Sequence, residues 1–145
     1  MRAAILGILF GALLVTPVFA GKQKVLESRI GKASFYAEDF HGLRTASGEI
    51  FDMMELVAAH PSYPFGTVLR VTNLHNDRQV KLKVIDRGPT AKYQDQGRII
   101  DVSRGAAEQL NFVKRGLTPV RIEVLKWGDG IYRAEAKPSS LAAAE

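Results

Sequence analysis

Four residues able to move or orient a proton fall at turns of this chain. Asp86, in VIDRGP, ends an alternating apolar run just before Gly88 and Pro89 redirect the backbone. Glu49 closes the polar segment HGLRTASGE. His60 follows an apolar stretch and precedes Pro61, and Asp101 lies in IIDVS beside Ser103. A carboxylate at the mouth of a strand can act as a general acid or base, and a nearby histidine can orient it through a hydrogen bond. Each residue also has an ordinary structural use. Asp86 can pair with an arginine or cap the Gly-Pro turn, the commoner role for such an aspartate. Glu49 can be a solvated loop carboxylate, and His60 a core histidine satisfied by backbone. Asp101 and Ser103 can close a polar network or simply cap a helix. Arg87 should point away from Asp86, because strand side chains alternate.

Other chemistries lack their residues. No GxGxxG follows a strand and no GxxxxGK[ST] occurs, so nucleotide binding has no support. There is no HExxH and no cysteine, and His41, His60 and His75 have no ligand spacing, so neither a metal nor another cofactor is expected. No serine stands in a GxSxG elbow.

The elements that would position these residues are short. Residues 33–37 alternate small with aromatic and suit a strand, and 41–52 read as a loop. Residues 68–73 (VLRVTN) and 80–85 (VKLKVI) alternate with period two. Asn76 and Asp77 between them are turn residues, so the two predict a β-hairpin. Residues 99–102 and 120–125 predict further strands, and Ser103 can cap a short helix carrying Ala106, Ala107 and Leu110 on one face. Gly105 weakens that helix. Short strands without a βαβ rhythm imply a mainly all-β fold, a small barrel or sandwich.

The first 20 residues differ from the rest. Arg2 is their only charge, an apolar run follows, and Val18-Phe19-Ala20 offers small residues for cleavage. This reads as a signal peptide over residues 1–20, its apolar run shorter than a bilayer span, with an uncleaved membrane anchor as the alternative. Residues 21–29 read as a leader, 30–126 as one domain, and 127–145 as a disordered low-complexity tail. With no cysteine to carry a lipid, the exported protein is expected to be soluble in the periplasm or cell envelope, and monomeric. Lys and Arg number 20 against 15 Asp and Glu. In an exported chain that balance favours anionic wall polymers or the anionic envelope surface over nucleic acid. The basic residues are scattered, however, and most read as solvated surface.

Taken in order, the strings GKASFYAEDFHGLRTASGEIFD, LVAAHPSYPFGTVLRVTNL, VKLKVIDRGP and GRIIDVSRGAAEQL resemble the rare lipoprotein A family of septal lytic transglycosylases. The resemblance covers about residues 30–126. It implies a six-stranded double-psi β-barrel with one or two short helices, the architecture of the expansins. It also implies an enzyme that cuts the β-1,4 bond between N-acetylmuramic acid and N-acetylglucosamine in peptidoglycan, leaving a 1,6-anhydro end. The family's active-site positions fall on Glu49, His60 and Asp86.

By this resemblance Asp86 protonates the leaving oxygen and then accepts the proton of the sugar's own C6 hydroxyl. Partial burial or a neighbouring carboxylate such as Glu49 should raise its pKa. Glu49 and His60 would position and tune it. Phe35, Tyr36, His41, Thr45, Ser47, Arg87 and Asp101 are the candidate substrate contacts, with Phe65 a further ring face, although core packing is the default for the aromatics. The family name implies a lipidated cysteine and many members carry a glycan-binding SPOR domain; this sequence shows neither. Two other readings compete. One is a non-catalytic, expansin-like polysaccharide-binding barrel. The other is a hydrolase in which Asp86 is the acid and Glu49 or Asp101 the base.

Overall fold

A computed structural model describes residues 21–133; the expected signal peptide and residues 134–145 of the expected tail lie outside them. Six strands form a closed barrel: β1 (Glu27–Phe35), β2 (Val57–Ala59), β3 (Val68–Asn73), β4 (Gln79–Asp86), β5 (Arg98–Val102) and β6 (Thr118–Lys126). Around the barrel the order is β1-β5-β2-β4-β3-β6. The pairs β1–β5 and β2–β4 are parallel and the other four antiparallel. Among the described residues, two short helices, α1 (Ala91–Gln94) and α2 (Arg104–Gln109), and one 3-10 turn (Glu38–Phe40) accompany the strands. The mainly β expectation and the six-stranded barrel hold.

Alternation explains the core. Val80, Leu82 and Val84 of β4 point inward, as do Ile100 and Val102 of β5 and Val120, Ile122 and Val124 of β6. Each apolar side chain so enclosed contributes about 1.5–3 kcal/mol relative to exposure. The expected hairpin is β3–β4, and Asp77 takes the left-handed conformation in its turn (φ 59°). The first strand starts earlier than its sequence pattern suggests. Residues 27–29 of the expected leader, and 30–32 after them, pair antiparallel with β6, and main-chain pairing requires no apolar alternation. Residues 127–133 turn back along the barrel: Gly128 N–H donates to Thr67 Oγ1 and Gly130 N–H to the Phe65 carbonyl.

Ser103 caps α2, its Oγ accepting from Ala106 N at 3.2 Å. At the other end of the helix, Asn73 and Asn76 both donate through Nδ2 to the Leu110 carbonyl, which anchors α2 on the β3–β4 turn. Gly105 has a positive reason to be glycine: a Cβ there would stand 2.4 Å from the Met54 carbonyl oxygen. The helix thus lies directly on the backbone of the loop that runs from 37 to 55. A second apolar cluster, Phe51, Val57 and Ile85 with Tyr36 and Met53, pins the same loop to the outside of the barrel wall. Among the described residues no helix is long and apolar enough to cross a membrane.

Candidate active site

Strand pairing assembles the site. Ala59 of β2 stands opposite Asp86 of β4 on one side and Asp101 of β5 on the other, and Asp101 stands opposite Ser34 of β1. Ile100 and Val102 enter the core, so Asp101 between them faces outward, as do Ser34 and Tyr36. The result is a row across four strands, Ser34, Asp101, Ala59 and Asp86, whose polar members lie beneath the 37–55 loop.

Asp86 is held by three donors. The Tyr36 hydroxyl donates to Oδ2 at 2.6 Å, and the N–H groups of Ala46 and Arg87 donate to Oδ1 at 2.8 and 2.9 Å. Burial first, and then the bond to Asp86, pushes the Tyr36 phenol well above its usual range, so it remains a donor at any working pH. Among the described residues no arginine side chain pairs with Asp86, one of the two structural uses open to it, and Arg87 points away as strand alternation predicts. Arg87 instead donates through Nη1 to the Tyr63 carbonyl at 2.9 Å, with its guanidinium 3.9 Å from the centre of the Phe65 ring. Arg87 and Phe65 thus brace the turn after His60.

Asp101 accepts from the Ser34 hydroxyl. Burial raises its pKa most, and the nearby Asp86 charge raises it further, against the Ser34 bond and Arg98. Gly88 makes room for the pair. Its φ of 146° suits glycine, and a Cβ there would lie 3.2 Å from Asp101 Oδ2. Two carboxylates, Asp86 and Asp101, thus flank the same short stretch of β2.

Glu49 was expected to sit beside Asp86 and tune it. It is instead 5% exposed, with Lys83 Nζ 2.7 Å from Oε1 and the Ser47 hydroxyl 3.1 Å from Oε2. Thr45 Oγ1 donates to the Glu49 carbonyl at 2.8 Å and stands 3.1 Å from Ser47 Oγ. These bonds fix the 45–49 turn, whose Ala46 N–H reaches Asp86. The turn that Glu49 helps to fix therefore presents a backbone donor to Asp86. Thr45 and Ser47 are buried within that turn, whereas His41 is exposed at the loop edge, its Nδ1 accepting from Met53 N at 3.1 Å. Phe35 faces away from Asp86 and meets Phe112 edge to face in the core, with ring centres 5.8 Å apart.

His60 follows the backbone alternative. Its Nδ1 accepts from Tyr63 N at 3.0 Å and Ser62 N at 3.2 Å, and its ring stacks on Tyr63 at 3.5 Å. Its main-chain N–H, not its imidazole, meets Asp86, donating to the carbonyl at 3.1 Å. Burial, then Arg29 and Arg87, push its pKa down to about 4, against Glu27. It is neutral at neutral pH, and because Nδ1 accepts, the ring hydrogen is on Nε2. Unfolded His60 takes a proton near pH 6.5 and folded His60 only near 4, so acidification through that window favours the unfolded state. The loss should reach about 3 kcal/mol at most by pH 4. Urea unfolding at pH 7 and 4.5 should show it, and His60→Gln should flatten the difference between the two pH values. An unchanged pH dependence in His60→Gln would rule out His60 as its source.

The sequence model of the lytic transglycolase family matches residues 28–122, from β1 into β6. The chain belongs to that family. The protein named endolytic peptidoglycan transglycosylase RlpA from Campylobacter jejuni is 46% identical over 102 residues, 70% of this chain and 36% of that one. A protein of the same name from Neisseria meningitidis is 41% identical over 120 residues, 82% of this chain and 48% of that one. The probable member from Treponema pallidum is 50% identical over 108 residues, 74% and 32% of the two chains. The matches thus span less than half of these relatives. Among solved structures, the Streptomyces papain inhibitor superposes with TM-score 0.56 at 21% identity, covering 70% of this chain and 97% of that one. The Clavibacter michiganensis expansin superposes with TM-score 0.52 at 18% identity, covering 69% and 51%. Both show a shared fold. The resemblance read from the sequence to this family is therefore correct. Among the described residues, no group of His, Asp or Glu is placed to hold a metal ion.

Proposed function

We propose that this chain is a peptidoglycan lytic transglycosylase of the cell envelope, with Asp86 as its proton carrier. The observation that carries the reading is the Asp86 carboxyl, fixed at a strand mouth by Tyr36 and Ala46 beside Asp101, in a chain of the lytic transglycolase family. Asp86, in its acid form, gives its proton to the glycosidic oxygen as the bond from that oxygen to C1 of the muramic sugar breaks. The C6 hydroxyl of the same sugar bonds to C1, and its proton passes to the Asp86 carboxylate. The acid form is regenerated and no water is consumed. Tyr36 and the Ala46 N–H hold the carboxyl in place, which turns a collision into a positioned transfer.

The Asp86–Asp101 pair supports a second reading, hydrolysis with Asp101 as base, since ordinary glycosidases use two carboxylates. One experiment separates the readings. Purified sacculi are digested with the full chain in ¹⁸O-labelled water and the products are weighed. Anhydro-muropeptides without label are expected. Labelled, non-anhydro ends would establish the hydrolase, and glycan binding without any product would establish an expansin-like binding barrel.

A further inference from the structure

A pocket of about 240 Å³ opens beside the site, lined by Arg29, His60, Pro61, Ser62, Gln94, Arg98 and Ile99. Its polar lining is rich in donors. His60 accepts at Nδ1 from two backbone N–H groups, so Nε2 carries a hydrogen and can only donate. Ser62 adds a hydroxyl. Arg29 spends Nε on Glu27 at 2.7 Å, which leaves its two terminal nitrogens. Glu27 is also engaged by the Tyr63 hydroxyl at 2.7 Å, so that one carboxylate answers two donors. Arg98 lies with its guanidinium 4.2 Å from the centre of the Tyr93 ring, and its buried Nε has no hydrogen-bond partner among the described residues. That nitrogen has almost no accessible surface, so a ligand in the pocket would meet the terminal nitrogens of Arg98. Arg98 acts on Asp101 through space but makes no ion pair with it among the described residues.

We propose that this pocket is a subsite for a carboxylate carried by the glycan repeat, gripped by Arg98 and Arg29. The inference rests on peptidoglycan being the substrate. Two guanidinium groups with a hydroxyl and an imidazole N–H suit a carboxylate better than a neutral sugar hydroxyl. The position is also suitable. Arg98 lies three residues before Asp101 on β5, roughly 10 Å at the usual strand rise. His60 directly follows Ala59, which pairs with both aspartates. Muramic residues supply the matching group in two forms: the free lactyl carboxylate of peptide-free glycan, or the carboxylates of an attached stem peptide.

The test is a binding measurement with the Asp86→Asn chain, so that the ligand is not cut. Three probes are used: glycan chains stripped of peptide by an amidase, the same chains with lactyl carboxylates reduced to alcohols, and peptide-bearing chains. Arg98→Gln should weaken binding to carboxylate-bearing chains by about tenfold. It should leave binding to the reduced chains unchanged. Arg98→Lys, which keeps the charge, should recover part of the loss. A loss confined to stripped chains assigns the lactyl group, and one confined to peptide-bearing chains assigns the peptide. Arg29→Gln, at an exposed residue, repeats the test should Arg98→Gln lower the melting temperature. Affinities of both arginine variants equal to the parent's on all three probes, an equal loss on reduced chains, or no binding by the parent would overturn the subsite. If wild type releases no anhydro ends yet the arginine dependence persists, the subsite stands and the reaction assignment falls.

Discussion

Asp86→Asn should fold as wild type does, still bind glycan, and release anhydro-muropeptides about 10²–10⁴-fold more slowly, the usual range for one general acid–base group. The structure explains why the fold should survive. The oxygen of the substituted amide would keep the N–H groups of Ala46 and Arg87, while its NH₂ group faces the Tyr36 hydroxyl, which can reverse and accept. What is lost is the carboxyl group's ability to give a proton and take one back. Tyr36→Phe should lose less, since the two backbone donors still hold Asp86. Product analysis by mass spectrometry on sacculi, with a melting curve for each variant, checks both. Near wild-type release by a folded Asp86→Asn protein would remove Asp86 from the mechanism.

The second large effect is expected at the pair that fixes the 45–49 turn. Lys83→Met leaves the Glu49 carboxylate almost fully enclosed beside the neutral Ser47 hydroxyl. Stranding one partner of a fully buried pair costs about 3–5 kcal/mol. Lys83 is 21% exposed, so a loss of about 2–3 kcal/mol is expected here. Glu49→Gln should cost less, because Gln keeps a bond to Ser47 and the ammonium can still reach water. Combining Lys83→Met with Glu49→Gln should therefore be more stable than Lys83→Met alone. Urea unfolding of the three variants gives the cycle. If the double variant is no more stable than Lys83→Met, Glu49 is not a buried charge in need of its partner. In activity, Glu49→Gln should fall in kcat more than it rises in KM. It should fall by less than Asp86→Asn, because no hydrogen bond joins the Glu49 carboxylate to Asp86 among the described residues and its turn meets Asp86 through the Ala46 N–H.

The division between Glu49 and Asp86 shows where sequence reading stops. VIDRGP placed Asp86 at a strand end, and that is where it stands. ASGE placed Glu49 in a polar turn, which is also correct. Nothing in either string indicates that Glu49 meets Lys83, because Lys83 belongs to a strand whose neighbours are set by the barrel's closure. His60 offered two roles from its type alone, and the backbone of Ser62 and Tyr63 takes its Nδ1. A signal was present in the sequence, since Pro61 sets a turn whose N–H groups need an acceptor.

Local chemistry thus determined much of this protein from its residues alone. Period-two alternation marked β3, β4 and β6, Asn76-Asp77 marked the hairpin, and Ser103 marked the start of α2. The order of four motifs was enough to reveal the family. Pairing partners and register were decided only in three dimensions, because alternation specifies which face of a strand is apolar and carries no information about its neighbour. β2 lies parallel to β4 and antiparallel to β5, and that arrangement alone sets Asp86 beside Asp101, residues 15 apart in sequence. The same closure gathers Arg29, His60 and Arg98, which no motif joins, around one pocket.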